Sequence, residues 1–426
     1  MGGDEGKVLL LTMIKGIKKP KGRMFLMKKA YRLLLGLVIL SLLVSCATVA
    51  APKSLKVIMG LAEEEWNVMR EHIFPAFEKE YNVKIEAYQT EAQDTEKILE
   101  ARAKANRMDI DLISQDNMRL ATLVERGLVE DLSEYRSLIP ATVIPALVDV
   151  GEFGGKLYFL PYRPNIEIAF YNSLKFAQYG LKPPTNWDEL FNVARTFKEK
   201  EGVARVAIKA DLSPCTTVHL FDFCRSAGGD PVVLDDKGCF EAFVFLQKLW
   251  PYLSPDSKTA NWNFMNRHIA TESVYLGQNW PFGMNVIVKD GGKKEVLAYQ
   301  GWRGPVKESH VLGGDVIGIP KGAPNKALAI EFAKYLMSKE VQEKLATYNG
   351  WPAVRSDAYG TVEEWQRPYF DAINEALKYA EARPNLLYWD AVDKALGEAF
   401  REGVIEQKPV KPALEKWAKF IRDNKR

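Results

Sequence analysis

Short apolar runs closed by polar turns alternate along this chain with longer stretches whose apolar positions recur every three or four residues. LKVIMG at 55–60 reads as a buried strand, 63 to about 80 as a helix, and VKIEAYQ from Val83 as a second strand. Residues 92–105 read as a helix and DIDLISQD from Asp109 as a third strand. Strand, helix, strand, helix, strand predicts a parallel sheet with helices on both faces. Ligands gather at the carboxyl ends of such strands, which makes Glu63, Glu64, Trp66, Gln115, Asp116 and Asn117 candidates for a site.

From Gly154 to Asn172 a turn, a strand, a Tyr-Arg-Pro break and another strand follow one another without a helix. That is how a chain leaves one lobe for another. Pro183 and Pro184 then precede Thr185, placed to cap a helix, and VARVAIKAD reads as the next strand. A helix ending near Ala227 meets Gly228 and Gly229, and another spans 241–250. In LGQNWPFGMNVIV (276–288) Trp280 lies between a polar turn and a strand, and Trp302 lies in the loop YQGWRGP. Loop tryptophans are better contact candidates than Trp250 or Trp417, which sit in helical patterns.

Residues 313–355 hold the densest pattern. Gly313 and Gly314 permit unusual backbone angles, Asp315 follows, and 316–319 reads as a strand. Asn325 is placed to cap a first helix and Ser338 a second, with Gly350 as a left-handed exit before Trp351 and Pro352. The GG pair, IPKGAPNK, the helix, S-K-E-V-Q and the glycine-aromatic-proline turn before Arg355 resemble the signature of extracellular solute-binding proteins of bacterial ABC importers. Within these the match is to the large sugar-binding family that includes maltose-binding protein. The resemblance implies an α/β, two-lobed periplasmic-binding-protein fold of the type II, maltose-binding-like kind with three interlobe crossings. The expected first lobe is 54–165 plus 316–372 and the second 170–310 plus 384–426, with hinges at 166–169, 311–315 and 373–383.

Length agrees with two lobes, since 426 residues exceed what one core usually serves. The formal charge of +3 is a property of the leader: without the nine basic and two acidic residues of 1–45, 49 basic residues face 53 acidic ones, a net −4. No nucleic-acid footprint survives. Lys28, Lys29 and Arg32 precede the apolar run 33–44 and then Ser45 and Cys46, a secretory signal too short for a membrane span of about 20 residues. Leu43-Val44-Ser45-Cys46 looks like a lipobox, which makes Cys46 the lipidated first residue of the mature chain and 46–53 its linker; the other reading is an ordinary signal peptide cut nearby. Residues 1–26 do not fit a signal peptide, so translation is expected to start at Met24 or Met27. Cys215, Cys224 and Cys239 are not spaced as a zinc motif, and either a Cys215–Cys224 disulfide or small buried thiols fits them.

No HExxH, GxSxG or GxxxxGK occurs and the four histidines are scattered, so no catalytic, metal or cofactor site is expected. Loop aromatics with carboxylates and arginines suit a sugar, whose C–H faces stack on rings and whose hydroxyls meet charged groups. The aromatic candidates are Trp66, Tyr162, Trp280, Trp302 and Trp351. The hydrogen-bonding candidates are Glu64, Gln115, Asp116, Asp315, Arg355 and Arg383. Arg163 and Pro164 depart from the family's crossing, so Arg163 signals an anionic group as a rival ligand chemistry. The expectation is a monomeric exported protein, lipid-anchored or periplasmic, that binds a carbohydrate, most simply an oligosaccharide, and delivers it to ABC permease subunits. Its rivals are the same fold binding a phosphorylated polyol or other solute, and an exported carbohydrate-active enzyme.

Overall fold

The computed structural model describes residues 53–425, so the leader, Cys46 and the start site lie outside the described residues. Strand β1 (Lys53–Met59) pairs in parallel with β2 (Val83–Gln89) on one side and β3 (Leu112–Asp116) on the other. The helical stretch after β1 buries Trp66, Met69, Ile73 and Phe77, spaced to share one face. Its middle turn, Met69–Ile73, is a π turn. Pro75 lacks an N–H and its ring would clash with the carbonyl four residues earlier, and a widened turn relieves both problems. Asn82 in the left-handed region (φ 47°) ends the stretch.

A hairpin, β4 (Glu152–Phe153) and β5 (Lys156–Leu157), turns at Gly154 and Gly155 and leads into β6 (Phe159–Asn165). The Tyr162-Arg163-Pro164 segment, expected as a break, is part of this continuous strand, and the irregularity appears instead as a register shift against its partner between Asp315 and Val316. The chain then enters a second sheet. It contains β7 (Ile168–Asn172), β8 (Val206–Ala207), β9 (Leu276–Asn279) and β10 (Val296–Tyr299), in the order β10-β7-β9-β8. Of VARVAIKAD only Val206 and Ala207 find ladder partners, and 285–288, expected as a strand, lies in the π-helical turn Asn285–Asp290.

Strand β11 (His310–Gly318) joins the two halves. Asp315–Gly318 pairs antiparallel with β3, Gly313–Gly318 with β6, and His310–Leu312 parallel with β12 (Ala380–Ala382). Val311 is buried in the core of the second sheet and Ile317 in that of the first. Helix Arg367–Leu377, expected to divide between first lobe and hinge, packs on the second sheet: Tyr369, Phe370 and Ile373 join Phe170 and Val296, and the Tyr369 hydroxyl donates to the Val296 carbonyl. Its apolar stripe is wide enough to need a sheet, and β7 and β10 supply one.

Local chemistry differs from expectation at two caps. Asn186, not Thr185, caps helix Trp187–Glu201 by accepting from Glu189 N (3.0 Å), while Thr185 donates its N–H and hydroxyl to the Glu189 carboxylate. Asn325 makes no cap bond and instead donates to Ser54 O and Asp111. Ser338 caps its helix as read, accepting from Val341 N at 3.4 Å. Cys215 and Cys224 lie nine residues apart on helix Pro214–Ser226, about 13 Å along its axis, too far for a bridge. All three described cysteines are free thiols.

Candidate functional site

A cleft of about 400 Å³ opens between the two sheets and is lined from both halves. Gln115 and Asp116 enter it at the end of β3, and Glu91 just after β2, where parallel strands present their carboxyl ends.

Its floor is a stack of buried charge. Arg163 Nη1 bonds Glu65 Oε1 (3.0 Å), and Nη2 bonds Asp315 Oδ2 (2.5 Å). The guanidinium lies 4.4 Å from the centroid of the Trp351 ring, whose Nε1 donates to Glu65 Oε1 (2.5 Å). Burial raises the Glu65 and Asp315 carboxyls above their ordinary range, against the pull of Arg163. Burial also opposes the charge on Arg163, and the two carboxylates outweigh it, holding the guanidinium above its usual range.

The glycine pair is explained by this floor. A Cβ on Gly313 would lie 2.7 Å from Trp280 Cη2, so the bare backbone lets the indole of the second half rest on the crossing strand. Gly314 has φ +110°, and a Cβ there would lie 2.0 Å from Arg163 O. β11 can therefore close on β6 at the residue beside the Arg163–Asp315 pair.

Trp280 is half-buried and backed by a second charged group. Lys209 Nζ lies 5.1 Å from its ring centroid, forms an ion pair with Glu167 and bonds Asn279 Oδ1 (3.4 Å). Lys209 N donates to His219 Nδ1 (3.1 Å), so the proton of a neutral imidazole sits on Nε2 and is donated to Glu167 Oε2 (2.8 Å). Burial, then Lys209, holds His219 well below its usual range, and burial lowers Lys209 to about 8. Trp262 stands beside this platform, edge-on to Phe282 at 6.1 Å, with its carbonyl fixed by Asn279 Nδ2 (2.8 Å).

At one end of the cleft Asp116 bonds the buried Arg383 (3.1 Å). Arg119 reaches from the first half to Asp390 (2.6 Å) and Asp393 (3.7 Å) on helix Trp389–Phe400. Asn385 adds a double contact, accepting from Leu120 N and donating to Asn117 O, both at 2.8 Å.

Six of the twelve expected ligand residues therefore line the cleft: Gln115, Asp116, Arg163, Trp280, Asp315 and Arg383. Trp66 is buried with Nε1 on Gln89 Oε1 (2.7 Å), and Trp302 lies in the core of the second half. Tyr162 and Trp351 are buried edge-to-face beneath the floor, at 5.9 Å. Glu64 faces a neighbouring groove of about 230 Å³, and Arg355 is occupied by Asp357 (2.9 Å) away from the cleft. The sequence reading missed Glu65, Glu91, Arg119, Asp211 and Trp262. The strand-end rule finds Asp211 once it is applied after β8. Among the described residues no group of three His, Cys, Asp or Glu side chains is placed to hold a metal ion, and no helix is long and apolar enough to cross a membrane.

Two sheet-centred halves, three crossings and a polar, aromatic-walled cleft between them define a binding protein of the maltose-binding fold. The family described as bacterial extracellular solute-binding protein matches residues 72–371, and the chain belongs to it. A probable ABC transporter-binding protein of Deinococcus radiodurans is 22% identical over 341 residues, 74% of this chain and 79% of that protein. Maltose-bound MalE3 of T. maritima superposes with a TM-score of 0.79 at 19% identity, covering 87% of this chain and 99% of that one. A solute-binding protein of Thermotoga lettingae bound with α-D-tagatose gives 0.78 at 21% identity, covering 87% and 99%. The protein is thus an extracellular solute-binding protein.

Proposed function

We propose that the cleft captures a neutral carbohydrate, most simply an oligosaccharide, and that the protein, anchored through a lipid on Cys46, hands it to the permease without chemical change. The observation that carries this reading is the pairing of charge around half-buried aromatic side chains that line the cleft. Trp262 and Trp280 present rings into the cleft, while its three arginines, Arg119, Arg163 and Arg383, are each bound to protein carboxylates. Rings suit C–H faces, and the carboxylates Glu91 and Asp211, which make no ion pair among the described residues, suit hydroxyl donors. A cavity of about 400 Å³ falls in the ordinary range for small ligands, about 300–1,000 Å³. The maltose and tagatose of the two structural neighbours support the same class.

Arg163 no longer speaks for an anionic ligand, because Glu65 and Asp315 already neutralise it. The test is a thermal-shift and calorimetric screen of neutral mono- and oligosaccharides against sugar phosphates, polyamines and peptides. A neutral saccharide at about 100 times its Kd should stabilise the fold by about 2.7 kcal/mol. A response confined to sugar phosphates, or hydrolysis of the bound saccharide on standing, would overturn the proposal.

A further inference from the structure

The second half holds two cysteines that the cleft does not use. Cys224 ends helix Pro214–Ser226, Cys239 begins helix Lys237–Leu249, and both side chains are fully buried. Their proximity is built into the backbone. Gly229 N donates to Cys224 O (2.8 Å), and a Cβ on Gly229 would lie 2.5 Å from Cys239 N. A Cβ on Gly238 would in turn lie 2.2 Å from Gly229 N. Two glycines thus let the end of one helix touch the start of the next, and Asp236 fixes the contact by accepting from Asp230 N (2.6 Å) and Cys239 N (2.8 Å). Both cysteines belong to the same buried core cluster.

We propose that Cys224 and Cys239 form a disulfide in the exported protein, closing the Gly228–Gly229 turn between these two helices. Export places the chain where disulfides persist. The neighbouring Cys224, and then burial, push the Cys239 thiol up, so exchange starts from the Cys224 thiolate. In the first exchange a Cys224 thiolate attacks a sulfur of a donor disulfide, either an oxidoreductase's or a small molecule's, and one donor thiolate leaves. The Cys239 thiolate then attacks the Cys224 sulfur of the mixed disulfide and releases the second donor thiolate. The pair loses two protons and two electrons, and the donor is reduced to two thiols. Cys215, at the cleft end of the same helix, stays a free thiol.

The experiment is alkylation of the exported full chain in denaturant without reductant, followed by peptide mapping, with the C215S variant in parallel. The expected result is label on Cys215, none on Cys224 or Cys239, a linked peptide pair, and no label at the three sites in C215S. Reduction should expose both thiols to the reagent and lower Tm, and the C224A/C239A variant should lose that reductant-dependent fall in Tm. Full labelling of Cys224 and Cys239, both after export and after refolding with oxidised and reduced glutathione, overturns the proposal even if C224A/C239A fails to fold.

Discussion

At the scale of single residues, the tryptophans separate into two kinds that the sequence could not tell apart. Trp280 and Trp351 both sit in proline-containing turns, yet the first faces the cleft and the second is 1% exposed under Arg163. Burial of a loop residue is decided by the element that lands on it, and that information is spread over distant parts of the chain. Trp280→Ala should therefore weaken saccharide binding about ten- to a hundredfold with little change in stability. Trp351→Ala should cost about 3–5 kcal/mol of stability. Calorimetry with a saccharide, beside urea unfolding, checks both; equal loss of binding and stability in the two variants would contradict the assignment. A third residue predicts pH dependence. Burial lifts the Asp222 carboxyl from its ordinary 3.8 to about 6, partly offset by His310, Val311 N, Arg225 and Lys209. The folded state then holds this proton more tightly than the unfolded chain. Its contribution favours folding below pH 3.8 and is lost as pH rises through about 6. The stability of Asp222→Asn relative to the parent should rise across that window by about 3 kcal/mol, read by urea unfolding at pH 4 and pH 8; a pH-independent difference would rule this account out.

At the scale of elements, the parallel strands and their helices were legible because apolar runs and turn residues repeat with the right periods. The strand-end rule then delivered Gln115 and Asp116. β11 was legible only from Val316 onward, because its first six residues, His310–Asp315, carry two glycines and are extended by pairing with β12, β6 and, at Asp315, β3. The same pairing defines a prediction. Gly314→Ala places a Cβ against the Arg163 carbonyl at a φ of +110° and should destabilise the fold by about 3 kcal/mol or more. Gly313→Ala meets only the far edge of Trp280, so it should displace the ring, weaken the ligand and leave the melting temperature nearly unchanged. Thermal unfolding with and without saccharide separates the two; a Gly313→Ala variant with parental affinity would show that Trp280 does not use this contact to reach the ligand.

At the scale of the whole molecule, affinity depends on how the two halves are held as well as on what lines the cleft. Arg119 with Asp390 and Asp393, and Asn385 with Leu120 and Asn117, join the halves by side chains distant in sequence, which no local pattern could reveal. We propose that the halves part to admit ligand and close on it; contacts of this kind would then form only in the closed protein and favour it whether or not ligand is present. The Asp390 side chain is 82% exposed, which limits its share of the interaction to that of a surface pair, about 0.2–1 kcal/mol. Arg119→Ala should then weaken saccharide binding by at most about fivefold, because closure on the ligand must proceed without that bias. Exposed pairs are screened by salt, so the parent's affinity should fall toward the variant's as ionic strength rises while the variant's stays flat. Calorimetric titrations of both proteins at low and high salt test this directly. If their affinities fall in parallel, Arg119 acts on the ligand itself; if they never differ, the pair forms equally in the open protein and closure rests on the contacts of the floor.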